Sequence, residues 1–80
     1  MKLPRDLNGN DLAKLLHKYG YTVTRQSGSH MRLTSSYMGN VHHITIPNHD
    51  PLKLGTLNSI LNSVSAYLQI TKDELLRKLL

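Results

Sequence analysis

The run Ser27-Gly28-Ser29-His30, with Arg25 before it and Arg32 after it, holds the parts of a metal-free RNA-cleaving site. Such chemistry needs a base for the 2′-hydroxyl proton, an acid for the leaving oxygen and positive charge at the phosphate. Imidazole suits both proton transfers because its ordinary pKa lies near neutrality. A Gly-Ser turn exposes backbone N–H groups and lets a phosphate come close. Arginines grip phosphate through forked hydrogen bonds. His30 is therefore the candidate catalytic residue, with Arg25, Gly28, Ser29 and Arg32 as candidate RNA contacts. By spacing alone, an ordinary exposed strand histidine after a turn accounts for the same residues, and both readings stay open.

The remaining histidines sort by parity. His42 and His43 are adjacent on a strand, so they face opposite sides and cannot grip one metal ion together. His43 points outward and is a candidate RNA contact or helper acid. His42 points inward, where a hydrogen-bonded, partly buried side chain is expected. A zinc site from His30, His43 and His49 has no carboxylate or Cys spaced to complete it. No metal and no cofactor are expected. Asp50-Pro51-Leu52-Lys53 reads as a turn feeding a helix.

The 80-residue chain carries 10 Lys and Arg against 5 Asp and Glu, a formal charge of +5, with 5 His besides. That balance favours a polyanionic partner, because neutralising phosphates releases condensed counterions. An acidic protein would satisfy the same charge. Cys is absent, which excludes disulfides, thiolate zinc sites and thiol nucleophiles. A chain of this size buries only about 60% of its unfolded surface, enough for one thin core. One domain spanning residues 1–80 is expected. The N-terminus has no apolar run long enough for a signal peptide or a membrane span, so a cytoplasmic protein is expected.

These candidate residues need a scaffold, and the periodicity supplies one. Leu12, Leu15, Leu16 and Tyr19 fall at i, i+3, i+4 and i+7, one helical stripe. Asn8 is placed to cap it and Gly20 to end it in a left-handed conformation. From Tyr21 the period changes to two. Strands are expected at residues 21–26, 30–35 and 41–46, the last stopped by Pro47. Leu54, Leu57, Ile60, Leu61, Val64 and Leu68 then mark the apolar face of a second helix. Thr71-Lys72-Asp73-Glu74 has capping-box spacing before a short leucine-rich helix. The fold expected is α+β: a three-stranded antiparallel sheet with helices on one face.

That packing assigns faces. Met31, Leu33, Ile44 and Ile46 should point to the core, as should Tyr21 and Val23. His30, Arg32, Thr34, Val41, His43 and Thr45 should point out, together with Thr22, Thr24 and Gln26. One bulge would invert part of this pattern. Leu75, Leu76, Leu79 and Leu80 either dock on the core or form an apolar edge for a partner.

Three segments, in order, resemble the HicA-type (YcfA-like) mRNA interferase toxins. The first is Gly20-Tyr21 followed by Arg25-Gln26-Ser27-Gly28-Ser29-His30. The second is Ile44-Thr45-Ile46-Pro47-Asn48-His49, and the third Leu54-Gly55-Thr56-Leu57-Asn58-Ser59-Ile60-Leu61. The resemblance covers residues 8–76. It implies a fold like the double-stranded-RNA-binding domain and ribosome-independent cleavage of mRNA as the toxin of a type II toxin–antitoxin system. It also implies a HicB-type antitoxin that covers the site, and no DNA contact by this chain alone. His30 matches the family's catalytic histidine, Gly28 and Ser29 the residues framing it, and His49 a second recurrent histidine with a structural role. The alternatives are a non-catalytic module that grips structured RNA by shape and an inactive toxin that only binds its antitoxin.

Overall fold

The computed structural model describes residues 3, 4 and 6–80. Helix α1 spans Gly9–Leu16 and tightens into a 3₁₀ turn, His17–Tyr19. Strands β1 (Thr22–Ser27), β2 (His30–Ser35) and β3 (His42–Pro47) follow, then helices α2 (Leu54–Leu68) and α3 (Lys72–Leu79). The strands form one antiparallel sheet in the order β1-β2-β3. Helix α1 lies against β1 and β3, α2 against β3, and α3 against α2. This is the expected α+β arrangement.

Local chemistry fixes the element ends. The Asn8 side chain accepts from the Asp11 N–H at 2.7 Å, and Gly20 closes the first helical segment at φ +79. The Thr71 hydroxyl accepts from the Glu74 N–H at 3.1 Å, so the capping residue acts as its spacing implies. The core joins Leu12 and Leu16 of α1, Met31 and Leu33 of β2, and Ile44 and Ile46 of β3 to Leu57, Leu61 and Val64 of α2. Leu75, Leu76 and Leu79 are buried with them. Each is worth about 1.5–3 kcal/mol of transfer free energy, so α3 docks on the core. Only Leu80 of that group is left in solvent.

The first strand departs from simple alternation. Its register shifts between Val23 and Arg25, so that Val23 pairs with Leu33 but Arg25 pairs with Arg32. The extra residue, Thr24, is a β-bulge, and it reverses the parity of the strand residues beyond it. Arg25 thereby joins the outer face and Gln26, paired with Met31, turns to the helix side; the expected outward position of Gln26 is corrected. Val23 keeps its expected side but remains 44% exposed, because every residue of this edge strand is exposed. Leu54, expected on the apolar face of α2, also stays in solvent. Strands β1 and β3 each begin and end one residue later than expected. Pro47 is tolerated within β3 because that strand lies at the sheet edge.

Candidate nucleic-acid interface

On the face of the sheet away from the helices, the pairing sets side chains in rows. Ser27, His30 and Pro47 form the row nearest the β1–β2 turn. Arg25, Arg32 and Thr45 form the next. Thr34 and His43 lie beyond, with Thr24 beside them. All of these are exposed except Thr34 and Pro47, which are half-buried. No Asp or Glu occurs anywhere from Leu12 to His49, so the face has a basic character that no local carboxylate offsets.

The turn that presents His30 contains only Gly28 and Ser29. Gly28 stands at φ +58, with nothing within 4 Å of where a Cβ would be. Glycine is therefore required by the backbone angle and not by space, as in two-residue hairpin loops with Gly first. Behind the turn, the Asn48 N–H donates to the Ser29 carbonyl at 2.5 Å, and the Gly9 N–H donates to the His49 carbonyl at 3.0 Å. A Cβ on Gly9 would drive into the carbonyl oxygen of Pro47, the residue paired with His30. The start of α1, the end of β3 and the turn bearing His30 are thus locked together. Gly9 and Asn48 were not legible as site residues. Their contacts are long-range backbone contacts, which no residue spacing announces.

His30, Arg25 and Arg32 are exposed, and no side-chain hydrogen bond or ion pair holds them among the described residues. His49 is exposed as well, and its backbone makes the structural contacts. His43 differs. Its Nδ1 lies 2.9 Å from the Thr34 hydroxyl, which lies 2.8 Å from the Thr24 hydroxyl. Counting four residues along β2 from the His30 row to the Thr34 row places His43 about 13 Å from His30.

His42 faces the helices, as parity requires, and is half-buried. Its Nδ1 lies 2.7 Å from the Tyr21 hydroxyl and its Nε2 3.2 Å from the Ser63 hydroxyl. Its ring stacks on Tyr67 at 4.6 Å. Burial, and then the neighbouring Tyr67, push the Tyr21 phenol well above its ordinary range, so it stays protonated beside Nδ1. Burial, and then the His43 charge, lower the His42 pKa.

Of the four tyrosines that could stack on bases, Tyr19 and Tyr21 are buried, and Tyr67 is half-buried under hydrogen bonds. Tyr37, 58% exposed, offers the most accessible ring, which packs edge-to-face on Tyr19 at 5.6 Å. A cleft of about 260 Å³ opens between β3 and α2, lined by His43, Ile44, Thr45, Ser59, Ile60 and Ser63. Among the described residues no three His, Cys, Asp or Glu side chains are grouped to hold a metal ion. No helix among them is long and apolar enough to cross a membrane.

The family model described as "HicA toxin of bacterial toxin-antitoxin" matches residues 9–65. That span opens at Gly9, the residue packed against Pro47, and includes the whole sheet. No curated protein and no solved structure matches the chain.

Proposed function

Because the chain belongs to the HicA toxin family, we propose that it is an endoribonuclease toxin that cleaves mRNA at His30 without a metal ion. The observation that carries this reading is the placement of His30. It stands exposed at the start of β2, directly after a two-residue turn, on a face that holds Arg25 and Arg32 and no carboxylate.

In the proposed reaction the 2′-oxygen attacks the adjacent phosphorus and the 5′-oxygen leaves. His30 moves a proton at one of these two oxygens. Arg25 and Arg32, one row away, neutralise the phosphate as charge builds on its free oxygens. Backbone N–H groups of Gly28 and Ser29 assist from the turn. His43, about 13 Å along the sheet, lies beyond hydrogen-bond reach of the same phosphate. It is assigned to RNA contact and not to proton transfer at the His30 step.

The chain is read as one HicA-like domain over residues 1–80, cytoplasmic, with a HicB-type antitoxin that covers this face. Without that partner it is not expected to contact DNA. An acidic antitoxin surface would complement the uncompensated arginines.

The test compares wild-type protein with His30→Ala on RNA in the presence of EDTA, and in cells without antitoxin. Wild type should cut RNA and arrest growth. His30→Ala should do neither, while melting within a few degrees of wild type. A His30→Ala protein that cuts at the wild-type rate overturns the mechanism. RNA bound but never cut by wild type overturns the activity.

A further inference from the structure

The hydroxyls of Thr24 and Thr34 form a chain that ends on His43. A threonine hydroxyl has one proton to give. Thr24 Oγ1 donates to the Arg32 carbonyl, which can only accept, at 3.3 Å. With that proton so used, its bond with Thr34, in which either oxygen can be the donor, becomes one that it accepts. In that arrangement Thr34 Oγ1 offers His43 a lone pair, and His43 Nδ1 carries the proton. The ring is held through Nδ1–H whether it is neutral or charged. Only Nε2 changes between acceptor and donor, and it has no partner among the described residues. His42, one residue away, has both ring nitrogens engaged.

Nε2 of the exposed His43 ring is therefore the nitrogen open to a ligand. His43 also lines the cleft between β3 and α2. Ile44 and Ile60, both nearly buried, lie at its floor, with Ser59 and Ser63 beside them. Ser63 is committed to His42, which leaves Ser59 to bond an entering group. β3 is also an edge strand with no neighbour beyond it, so unpaired backbone donors and acceptors run along the cleft. Apolar floor for a flat ring, with hydroxyl and backbone groups for its edge, is the chemistry that reads an unstacked base. At about 260 Å³ the space lies below the usual 300–1,000 Å³ of ligand pockets, which suits a single base.

We propose that His43, oriented by Thr34 and Thr24, and the cleft beside it form a nucleotide subsite for single-stranded RNA. His43 Nε2 engages the sugar–phosphate of a nucleotide near the cut, and that nucleotide's base enters the cleft between β3 and α2. Thr34 and Thr24 are positioning residues. The subsite rests on the RNA reading of the face, and it would set which sequences are cut while His30 sets whether they are cut.

Two measurements test it. Nitrogen NMR of the His43 ring should show a proton on Nδ1 in the neutral state. Thr34→Val should abolish that preference and Thr34→Ser restore it. A bare Nδ1 in wild type overturns the hydroxyl-chain argument. Separately, affinity for a random-sequence single-stranded RNA pool is measured in the His30→Ala background, and cut-site preference is mapped in the His30-containing protein. Ser59→Trp, which fills the cleft, and Thr34→Val should each weaken binding about tenfold, the scale of one lost base contact. They should also change the base preferred at one position beside the cut, with Thr34→Ser behaving as wild type. Unchanged affinity and preference in folded Ser59→Trp and Thr34→Val overturn the subsite, even where cutting by His30 is intact. If wild type never cuts, the affinity arm still decides the subsite while the nuclease reading falls.

Discussion

Arg25 and Arg32 stand directly opposite each other on the outer face of the sheet, brought into that register by the bulge at Thr24. Like charges opposed across antiparallel strands destabilise a sheet by about 0.2–1 kcal/mol. Neither side chain has a carboxylate to relieve it among the described residues. A pair kept at that cost makes physical sense if an anion is placed between the two guanidinium groups.

Arg25→Gln should therefore raise stability and lower function together. The expected gain is a few tenths of a kcal/mol to about 1 kcal/mol in urea denaturation. RNA affinity should fall, and the salt dependence of binding should lose about one unit of slope as one phosphate contact disappears. A gain in stability with an unchanged salt slope would remove Arg25 from the interface.

That pair also marks the limit of what the sequence discloses. The alternation of Met31 and Leu33, and of Ile44 and Ile46, places β2 and β3 on the right faces, because a strand with one buried side has no other register available. Asn8, Gly20 and Thr71 end their helices for reasons local to those residues. Gln26 is misplaced because a bulge depends on pairing between strands, which a single strand's pattern does not contain. Val23 is apolar and correctly faced yet exposed, because coverage by α1 and α2 runs out at the sheet edge. For the site, the outward His30, Arg32 and His43 are legible by parity. The clamp of Gly9 on Pro47 and the hydroxyl chain behind His43 are not, since both join residues far apart in the chain.

Gly9→Ala tests that clamp. The methyl group has no free space, because the obstacle is the Pro47 carbonyl oxygen and the adjoining Asn48 backbone. Overpacking of this kind costs typically about 1–3 kcal/mol, and each kcal/mol moves the melting temperature of a domain this size by about 4–8 °C. The Gly9 N–H bond to the His49 carbonyl should weaken as α1 moves away. Calorimetry checks the stability, and RNA cleavage below the melting transition checks whether His30 loses its setting. Gly55→Ala is the control, with nothing within 4 Å of the added carbon, and it should not destabilise.

Gln69 ends α2 at φ +60, a left-handed conformation in a residue that has a Cβ. Its N–H donates to the Ala66 carbonyl and the Ile70 N–H to the Ser65 carbonyl, which close the helix end. Relief of about 1–2 kcal/mol of left-handed strain outweighs the added flexibility of glycine in the unfolded chain, about 0.4–1 kcal/mol. Gln69→Gly should accordingly stabilise by up to about 1 kcal/mol and leave RNA cleavage unchanged. Thermal denaturation of the two proteins decides it.

Acid should loosen the molecule at His42. In the folded chain its pKa lies below the ordinary 6.5, because burial and then the His43 charge disfavour the cation. The unfolded chain therefore takes up this proton at higher pH than the folded one. The stability that His42 contributes is complete above about pH 6.5 and is lost as pH falls from there through the folded pKa. A second proton would have to enter a ring whose two nitrogens already meet hydroxyls, Tyr21 at Nδ1 and Ser63 at Nε2, with Tyr21 itself held protonated. The groups around the ring are Tyr21, Tyr67, Ser63 and His43, none of them a carboxylate that would stabilise the cation. The measurement is the melting temperature from pH 8 to pH 5 for wild type and for His42→Asn. The wild-type curve should fall more steeply below pH 6.5, and the difference between the curves isolates His42 from the other four histidines. Parallel curves would mean that the ring accepts its second proton without losing Tyr21.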